Sequence, residues 1–274
     1  MSSTSPLRDL SARPGLVDYV RFIWERRDFL AVVPRLDVRA SNANNRLGQF
    51  WGLLNPIFMT AVYFIVFGLI LGVDRGIDSF IAFLAIGVLM FQLPQRTAQA
   101  AATAISSNEG LIRSTQFPRA LLPLSVAIKN MIEFRPAIGV ILFVALADTQ
   151  SISLRWLLFP IPVIAAFLVS VGLGLITARI GAFVQDLKEL LPHAFRILLY
   201  FSGVLFEVDR LVDNETVKTL LRLNPIFDFI ALARWCLIGT PISTMAVVSL
   251  AFWTVALPVG GLIFFHRQEV RYGA

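Results

Sequence analysis

The sequence predicts an all-α integral membrane protein with six transmembrane helices. Of its 274 residues, 57% are hydrophobic and only 15% are charged, and its mean hydropathy is +0.73. A soluble domain carries about 25% charged residues, and a water-soluble fold could not bury this much apolar surface. Because a transmembrane helix needs about 20 apolar residues, six helices with their connections fit the length of the chain.

The N-terminal part of the chain is not apolar enough to cross a membrane. Residues 1–14 are polar and are predicted to be disordered. Residues 15–50 are predicted to form a cytoplasmic amphipathic segment at the membrane interface, with Trp24 and Tyr19 as anchors. An ordinary solvated helix is the alternative. No signal peptide is recognisable, so we expect the N-terminus to remain in the cytoplasm.

Six apolar segments follow this N-terminal part. They lie at about 52–73, 79–105, 121–147, 156–178, 191–206 and 245–265. Residues 207–240 are too apolar for a plain loop and too short for two crossings. Asn224-Pro225 divides its helical stretches, so we expect two short re-entrant helices that gate the outer side.

The basic residues indicate the orientation of the chain. With the N-terminus inside, sixteen Lys and Arg residues fall on the cytoplasmic side, among them Arg96, and six on the outer side, among them Arg234. Both termini are therefore predicted to be cytoplasmic in a multi-pass protein of the bacterial inner membrane. Contacts with anionic membrane lipids account for the net charge of +6, so no nucleic-acid partner is expected.

Several kinds of chemistry are missing from the sequence. Lys129, Lys188 and Lys218 are the only lysines, and none follows a glycine, so a phosphate-binding Walker A loop cannot be built. The single cysteine and the two distant histidines exclude a Cys-based metal cluster and argue against a zinc hydrolase. We predict neither a catalytic residue nor a metal site in this chain.

Three ionisable residues lie within the third predicted span, namely Lys129, Glu133 and Arg135. Charges at this depth are costly and usually face a bundle interior or a wet cavity. They could form a polar wall of a translocation path. Alternatively, Lys129 and Glu133 could form a structural ion pair, because they are four residues apart on one helix face. A proton relay is a third interpretation.

Aromatic residues and one polar connection are further candidates for function. Rings in the spans could line a carbohydrate channel or fill the core. The channel candidates are Tyr63, Phe64, Phe67, Phe91, Tyr200 and Phe201. The polar connection at 106–119 contains Leu111 and Ile112, and exposed apolar residues there could dock a soluble partner. A plain interfacial loop is the alternative.

Four stretches of this sequence match the motifs of a known family. They are RLDVRASNANNRLGQFWGLLNPIFM (35–59), NEGLIRSTQFPRALLPLS (108–125), QDLKELLPHAFRILLYFSGVLF (185–206) and LLRLNPIFDFIALARWCLIG (220–239). In these motifs the chain resembles the ABC-2 type permeases that export lipid-linked polysaccharides: the O-antigen, teichoic acid and mycobacterial galactan exporters. The similarity covers about residues 35–270, which identifies residues 51–274 as an ABC-2 transmembrane domain.

The sequence departs from the family pattern at a few positions. Arg39-Ala40 stands where the family has a basic residue and tyrosine, and Ser202-Gly203-Val204 stands where it has Ser-Pro-Val. Ala231 replaces the acidic residue before the retained Arg234. These changes leave the resemblance to the family intact and concern the details of the substrate. The Arg-rich, Lys-poor composition is similar to that of the actinobacterial branch, which favours galactan as the cargo.

The resemblance implies a set of partners. Two copies of the chain would form a channel, and two separate nucleotide-binding subunits would bind ATP and Mg²⁺, so no cofactor is expected here. The cargo would be a glycan linked to a polyprenyl diphosphate, with diphosphate contacts at Arg35, Arg39 and Arg46. A coupling helix at about 107–117 would dock on the ATPase. Its contact residues would be Ser107, Asn108, Glu109, Gly110, Leu111, Ile112 and Arg113.

Two other functions remain to be weighed against an exporter subunit. An ion-coupled secondary transporter could use Glu133, but such proteins often contain inverted repeats, and the two halves of this chain have dissimilar polar blocks. A membrane enzyme acting on polyprenyl-linked sugars would need clustered acidic or histidine residues at the membrane surface. The sequence contains no convincing cluster of this kind.

Overall fold

The structure is a computed structural model that describes most of the chain. The described residues are 15–43, 50–70, 72, 79–114, 117–149, 152–206, 218–219 and 221–268. Three predictions fall outside them: the disorder of residues 1–14, the role of Arg46, and the first part of the outer gate at 207–217.

Every regular element in these described ranges is a helix, as the sequence predicts. The N-terminal helices are α1 (Leu16–Glu25) and α2 (Arg27–Ala43). The first half of the bundle contains α3 (Phe50–Tyr63, continued by a π-helix at Phe64–Ile70), α4 (Phe80–Ala102), α5 (Glu109–Ser114), α6 (Leu121–Glu133) and α7 (Arg135–Thr149). The second half contains α8 (Pro160–Phe183), α9 (Leu187–Phe201), α10 (Pro225–Ile238) and α11 (Thr244–His266), with short 3₁₀ turns at Ser106–Asn108 and Leu154–Leu158.

Five segments in the described part of the chain are long and apolar enough to cross a membrane. They are Trp51–Ile70, Phe80–Ala102, Leu121–Thr149, Leu154–Phe183 and Thr244–His266, and they correspond to five of the six predicted spans. The predicted fifth span contains α9, which has 15 residues. At 1.5 Å per residue this helix is about 22 Å long, shorter than the hydrocarbon core of roughly 30 Å. The count of six therefore stays a prediction.

The centre of the bundle is α4, whose apolar residues point in all directions. Leu84, Ile86, Leu89 and Met90 are each fully buried. A helix that is apolar all round packs against neighbours on every side. Accordingly, α4 contacts α3, α6, α7, α8, α9 and α10.

Small residues bring α8 close to its two main neighbours, α4 and α11. A Cβ atom added at Gly172 would collide with the backbone of Leu257, and one added at Gly261 would lie 2.7 Å from the carbonyl oxygen of Gly172. On the other side, a Cβ at Gly181 would collide with the backbone of Ala102. Such close contacts stabilise helix pairs in membranes, where burial of apolar surface supplies little driving force.

The second half of the predicted outer gate is the helix α10. It begins at Asn224, whose side chain accepts a hydrogen bond of 3.0 Å from the N–H of Ile226, and Pro225 follows at the first helical position. It ends at Gly239, whose φ of 74° suits glycine. It packs on α4, α8 and α11. Its 14 residues are too few for a full crossing, but a re-entrant path for the whole 207–240 segment stays a prediction.

Candidate functional site

A cavity with both polar and apolar side chains in its wall lies where α6 meets α7, and its volume is about 650 Å³; we call it the polar cavity. Residues of α2, α3, α4, α6 and α7 line it. The polar ones are Ser41, Asn55, Gln92, Arg96, Asn130, Glu133 and Arg135. Because a water molecule occupies about 30 Å³ in the liquid, this cavity has room for a sizeable polar group of a ligand.

The cavity forms at a break in the third span. Phe134 lies in a turn between α6 and α7, and Pro136 follows it. Proline has no N–H, and its ring clashes with the carbonyl group four residues earlier, here that of Ile132. Glu133 and Arg135 flank this break, and both line the cavity. The structure thus brings two of the three predicted intramembrane charges into one cavity.

The third of these charges, Lys129, is not among the residues that line the cavity. Glu133 makes no ion pair with Lys129 within 4.0 Å, so the structure lacks the pair that their spacing allows. Instead, Arg96 on α4 is close enough to Glu133 for their charges to interact. With Arg96 and Arg135 opposing Glu133, the cavity carries one excess positive charge.

Arg96 is a site residue that the sequence analysis missed, since it was counted among the cytoplasmic connections. The structure places it inside α4. The available signal was the polar pair Gln92 and Arg96, four residues apart and thus on one face of the second span.

The hydrogen bonds leave donors without acceptors at this cavity. Nη2 of Arg96 donates to Oε1 of Gln92 at 2.7 Å. Since a guanidinium can only donate, this bond fixes which atom of the Gln92 amide is the oxygen. Nε2 of Gln92 is buried and has no hydrogen-bond acceptor among the described residues, and neither has Nδ2 of Asn130. Both amide nitrogens are shielded from solvent, whereas Arg96 and Arg135 are exposed at the cavity. Because a guanidinium group can only donate hydrogen bonds, the cavity suits a ligand rich in acceptor atoms.

The predicted diphosphate contacts lie beside this cavity rather than in it. Arg35 and Arg39 are exposed on α2, and neither lines the cavity, although Val38 and Ser41 of the same helix do. Arg46 lies outside the described residues. The geometry does not bring Arg35 and Arg39 to the break between α6 and α7.

The predicted coupling segment is a 3₁₀ turn at Ser106–Asn108 followed by α5. Ser107, Glu109, Gly110 and Arg113 are exposed, and Asn108 is half-buried. Glu109 and Arg113 form an ion pair with an N–O distance of 3.7 Å. Leu111 is 39% exposed, whereas Ile112 is only 8% exposed. The segment therefore presents one apolar side chain outward and holds the next one in the protein.

The side chain of Tyr19 packs beneath the same segment. It is 1% exposed and belongs to an apolar cluster with Ile112, Ala120 and Phe265. Its hydroxyl oxygen accepts a hydrogen bond of 3.2 Å from the N–H of Ala120. The prediction that Tyr19 is a membrane-interface anchor is therefore wrong, because the protein interior surrounds the ring. Trp24 is 67% exposed and remains available for that role.

The six aromatic residues proposed for a glycan channel do not share one environment. Tyr63, Phe64 and Phe67 are half-buried, whereas Tyr200 and Phe201 are 51% and 57% exposed. For Phe91 the channel prediction is wrong. Its ring is 1% exposed and packs edge-on against Phe195 at 6.0 Å, which makes it part of the core.

Arg234 was counted as a basic residue of the outer side, but the structure buries it inside the bundle. Its side chain is 5% exposed. The guanidinium donates to the carbonyl oxygen of Phe83 from Nε at 3.2 Å and from Nη2 at 3.0 Å, to that of Gly203 at 2.7 Å and to that of Val204 at 2.8 Å. Four hydrogen bonds to backbone oxygens offset the cost of removing this charge from water.

Comparisons with known proteins agree with this architecture. The family profile described as ABC-2 type transporter matches residues 38–238. The O-antigen export system permease protein RfbA of Klebsiella pneumoniae is 24% identical over 246 residues, which are 89% of this chain and 93% of that protein. The protein of the same name from Myxococcus xanthus is 25% identical over 211 residues, 77% of this chain and 80% of that protein. The polysialic acid transport protein KpsM of Escherichia coli is 23% identical over 241 residues, 85% and 90% of the two chains.

The match to the family profile covers most of the chain, and the apolar helices have the length that a multi-pass inner-membrane protein requires. Its relatives are membrane subunits of transporters rather than enzymes. This chain belongs to the ABC-2 type transporter family.

Proposed function

We propose that this chain is the permease subunit of an ABC transporter that exports a polyprenyl-diphosphate-linked polysaccharide across the inner membrane. The observation that carries the proposal is its similarity, over most of its length, to permeases named for O-antigen and polysialic acid export. The exposed guanidinium groups of Arg96 and Arg135 at the cavity in the third span support it, because diphosphates and sugars are rich in acceptor atoms.

The energy for export comes from a separate ATPase subunit in this proposal. Two such subunits bind ATP and Mg²⁺. Two copies of the present chain enclose the channel, and the ATPase subunits dock on the cytoplasmic side of this dimer. The exposed Leu111 and the charged Glu109 and Arg113 make α5 a suitable docking element. Both termini are cytoplasmic, as the distribution of basic residues favours.

The cargo is a cell-envelope glycan, either a galactan or an O-antigen-like polymer. It approaches from the cytoplasmic leaflet, where Arg35 and Arg39 are exposed on the helix that borders the cavity. Arginine binds phosphate oxygens through two parallel hydrogen bonds, so these two residues make the first contacts with the diphosphate.

Reconstitution tests the proposal. The purified chain is placed in vesicles alone and with its ATPase partner, and ATP hydrolysis and movement of a lipid-linked glycan are measured. The chain alone should not hydrolyse ATP, and export should require both subunits and ATP. The composition of the glycan that accumulates in the cytoplasm after depletion of the chain identifies the cargo.

The same vesicles discriminate against an ion-coupled secondary transporter. Export by the chain alone under a proton gradient, abolished by Glu133→Gln, would contradict our proposal. If Glu133 is only a wall of the path, Glu133→Gln keeps ATP-driven export because it removes a charge but retains a polar side chain at the cavity.

A further inference from the structure

A second cavity lies between α3 and α7, and it is apolar. Its volume is about 530 Å³. Leu53, Ile57 and Phe64 line it from α3, and Gly139 and Phe143 line it from α7. Thr60 is the one polar side chain among its described lining residues, and its hydroxyl already donates to the carbonyl oxygen of Pro56 at 2.9 Å. We call this cavity the apolar groove.

The apolar groove continues the polar cavity along the same two helices. Asn55 of α3 and Pro136 of α7 line the polar cavity, whereas Ile57 and Gly139 line the groove. Gly139 follows Pro136 by three residues, a rise of about 4.5 Å. The seam between α3 and α7 is therefore lined by donors and charges at one end and by hydrocarbon at the other.

This arrangement matches an amphiphile with an anionic head and one hydrocarbon chain. The head would supply acceptors for the guanidinium groups of Arg96 and Arg135, which are both exposed at the polar cavity. On α3 the groove follows a single stripe of side chains at helical spacing, including Leu53, Ile57 and Phe64.

We infer that the seam between α3 and α7 is the binding site of the lipid carrier. Its diphosphate occupies the polar cavity and the first isoprenoid units occupy the apolar groove. The inference rests on the proposed function, and it identifies which part of the cargo this chain holds. Each methylene group of a hydrocarbon chain that is removed from water adds to the binding free energy. The groove therefore raises the affinity of the chain for the lipid carrier.

The test fills the groove without disturbing the fold. A Cβ atom added at Gly139 meets no atom within 4 Å, so Gly139→Phe places a ring in open space. Gly260 on α11 is equally open and does not line the groove, which makes Gly260→Phe the matched control. Each variant is purified as the complete transporter with its ATPase partner. Binding of a photoreactive polyprenyl diphosphate is then measured by cross-linking and mass spectrometry.

We expect Gly139→Phe to lower labelling by the photoreactive polyprenyl diphosphate by about tenfold. This is the effect expected when roughly two methylene groups of the lipid are no longer buried in the groove. Gly260→Phe should label like the unmodified protein, with cross-links mapping to the α3–α7 seam. Competition should be effective with unlabelled polyprenyl diphosphate, weak with the polyprenol that lacks a diphosphate, and weak with phosphatidylglycerol. If Gly139→Phe does not fold, Phe143→Ala serves instead, because it removes contact area from a ring that is 72% exposed.

Other outcomes overturn the inference. Unchanged labelling of Gly139→Phe and Phe143→Ala would do so, as would equal competition by phosphatidylglycerol. A disulfide between two copies of a Gly139→Cys variant would show that the groove is covered by a second chain. Normal ATP-driven glycan export by these variants would contradict the role of the groove in carrier binding but would leave the proposed export function intact. Absence of export by the unmodified transporter would contradict the proposed function itself.

Discussion

Arg234 on α10 is bound to the carbonyl oxygen of Phe83 on α4 by two hydrogen bonds, of 3.0 and 3.2 Å. The same guanidinium also donates to the carbonyl oxygens of Gly203 and Val204, in the turn that follows α9. One side chain therefore joins three segments that are distant in sequence. Because α10 is the described part of the predicted outer gate, we expect this contact to hold that helix to the bundle.

We predict that Arg234→Leu destabilises the protein strongly. The substitution leaves three buried carbonyl groups with fewer donors and should lower the free energy of unfolding by about 3 kcal/mol. Thermal unfolding of the purified protein in detergent measures the effect. Arg21→Leu is the control, because its side chain is 79% exposed and such pairs contribute less than about 1 kcal/mol. Equal melting temperatures for the two variants would show that the Arg234 hydrogen bonds do not hold the gate.

Gly87→Ala should disrupt the same contact from the side of α4. An added Cβ atom would collide with Nη2 of Arg234 and lie 2.8 Å from the carbonyl oxygen of Val204. Overpacking of this kind costs about 1–3 kcal/mol. The matched control is Gly260→Ala, where the Cβ meets nothing within 4 Å and the higher helix propensity of alanine should stabilise slightly. A Gly87→Ala melting temperature at or above that of Gly260→Ala would contradict the prediction.

The fold was predictable where single segments carry the information. Long apolar runs in water-free surroundings must be helical, so the spans at α4, α8 and α11 follow from composition alone. The environment of Arg234 does not follow in this way. Its partners are backbone carbonyl groups, which every residue type offers, so no sequence pattern distinguishes it from an exposed arginine.

The candidate site was predictable only where one segment of the sequence contains the signal. Glu133 and Arg135 stand out because charges are rare inside a span, and the break that exposes them is signalled by Pro136. Arg96 and Gln92 pair within α4, and their spacing of four residues in the second span is only a weak indication of a site in the sequence. The meeting of α4 with α6 across the cavity depends on how distant helices pack, and that information is not contained in either segment alone.

Tyr19→Phe should weaken the contact between α1 and the connection after α5. The variant keeps the ring but removes the hydroxyl that accepts from the N–H of Ala120, so a buried donor is left unpaired. We expect the free energy of unfolding to fall by about 1–2 kcal/mol. We also expect the amide hydrogen of Ala120 to exchange with solvent faster than in the unmodified protein. Trp24→Phe is the control, because that ring is 67% exposed. Unchanged exchange at Ala120 would argue against the role of the hydrogen bond.

The two apolar residues of α5 should separate docking from folding. Leu111→Asp changes an exposed side chain, so the permease should keep its melting temperature while stimulation of the partner ATPase falls by roughly tenfold. Ile112→Ala empties a buried position and should lower the free energy of unfolding by about 2 kcal/mol or more. Both quantities are measured on the same preparations, by thermal unfolding and by ATP hydrolysis in the assembled transporter. If Leu111→Asp stimulates the ATPase normally, α5 is not the docking element, whatever its effect on stability.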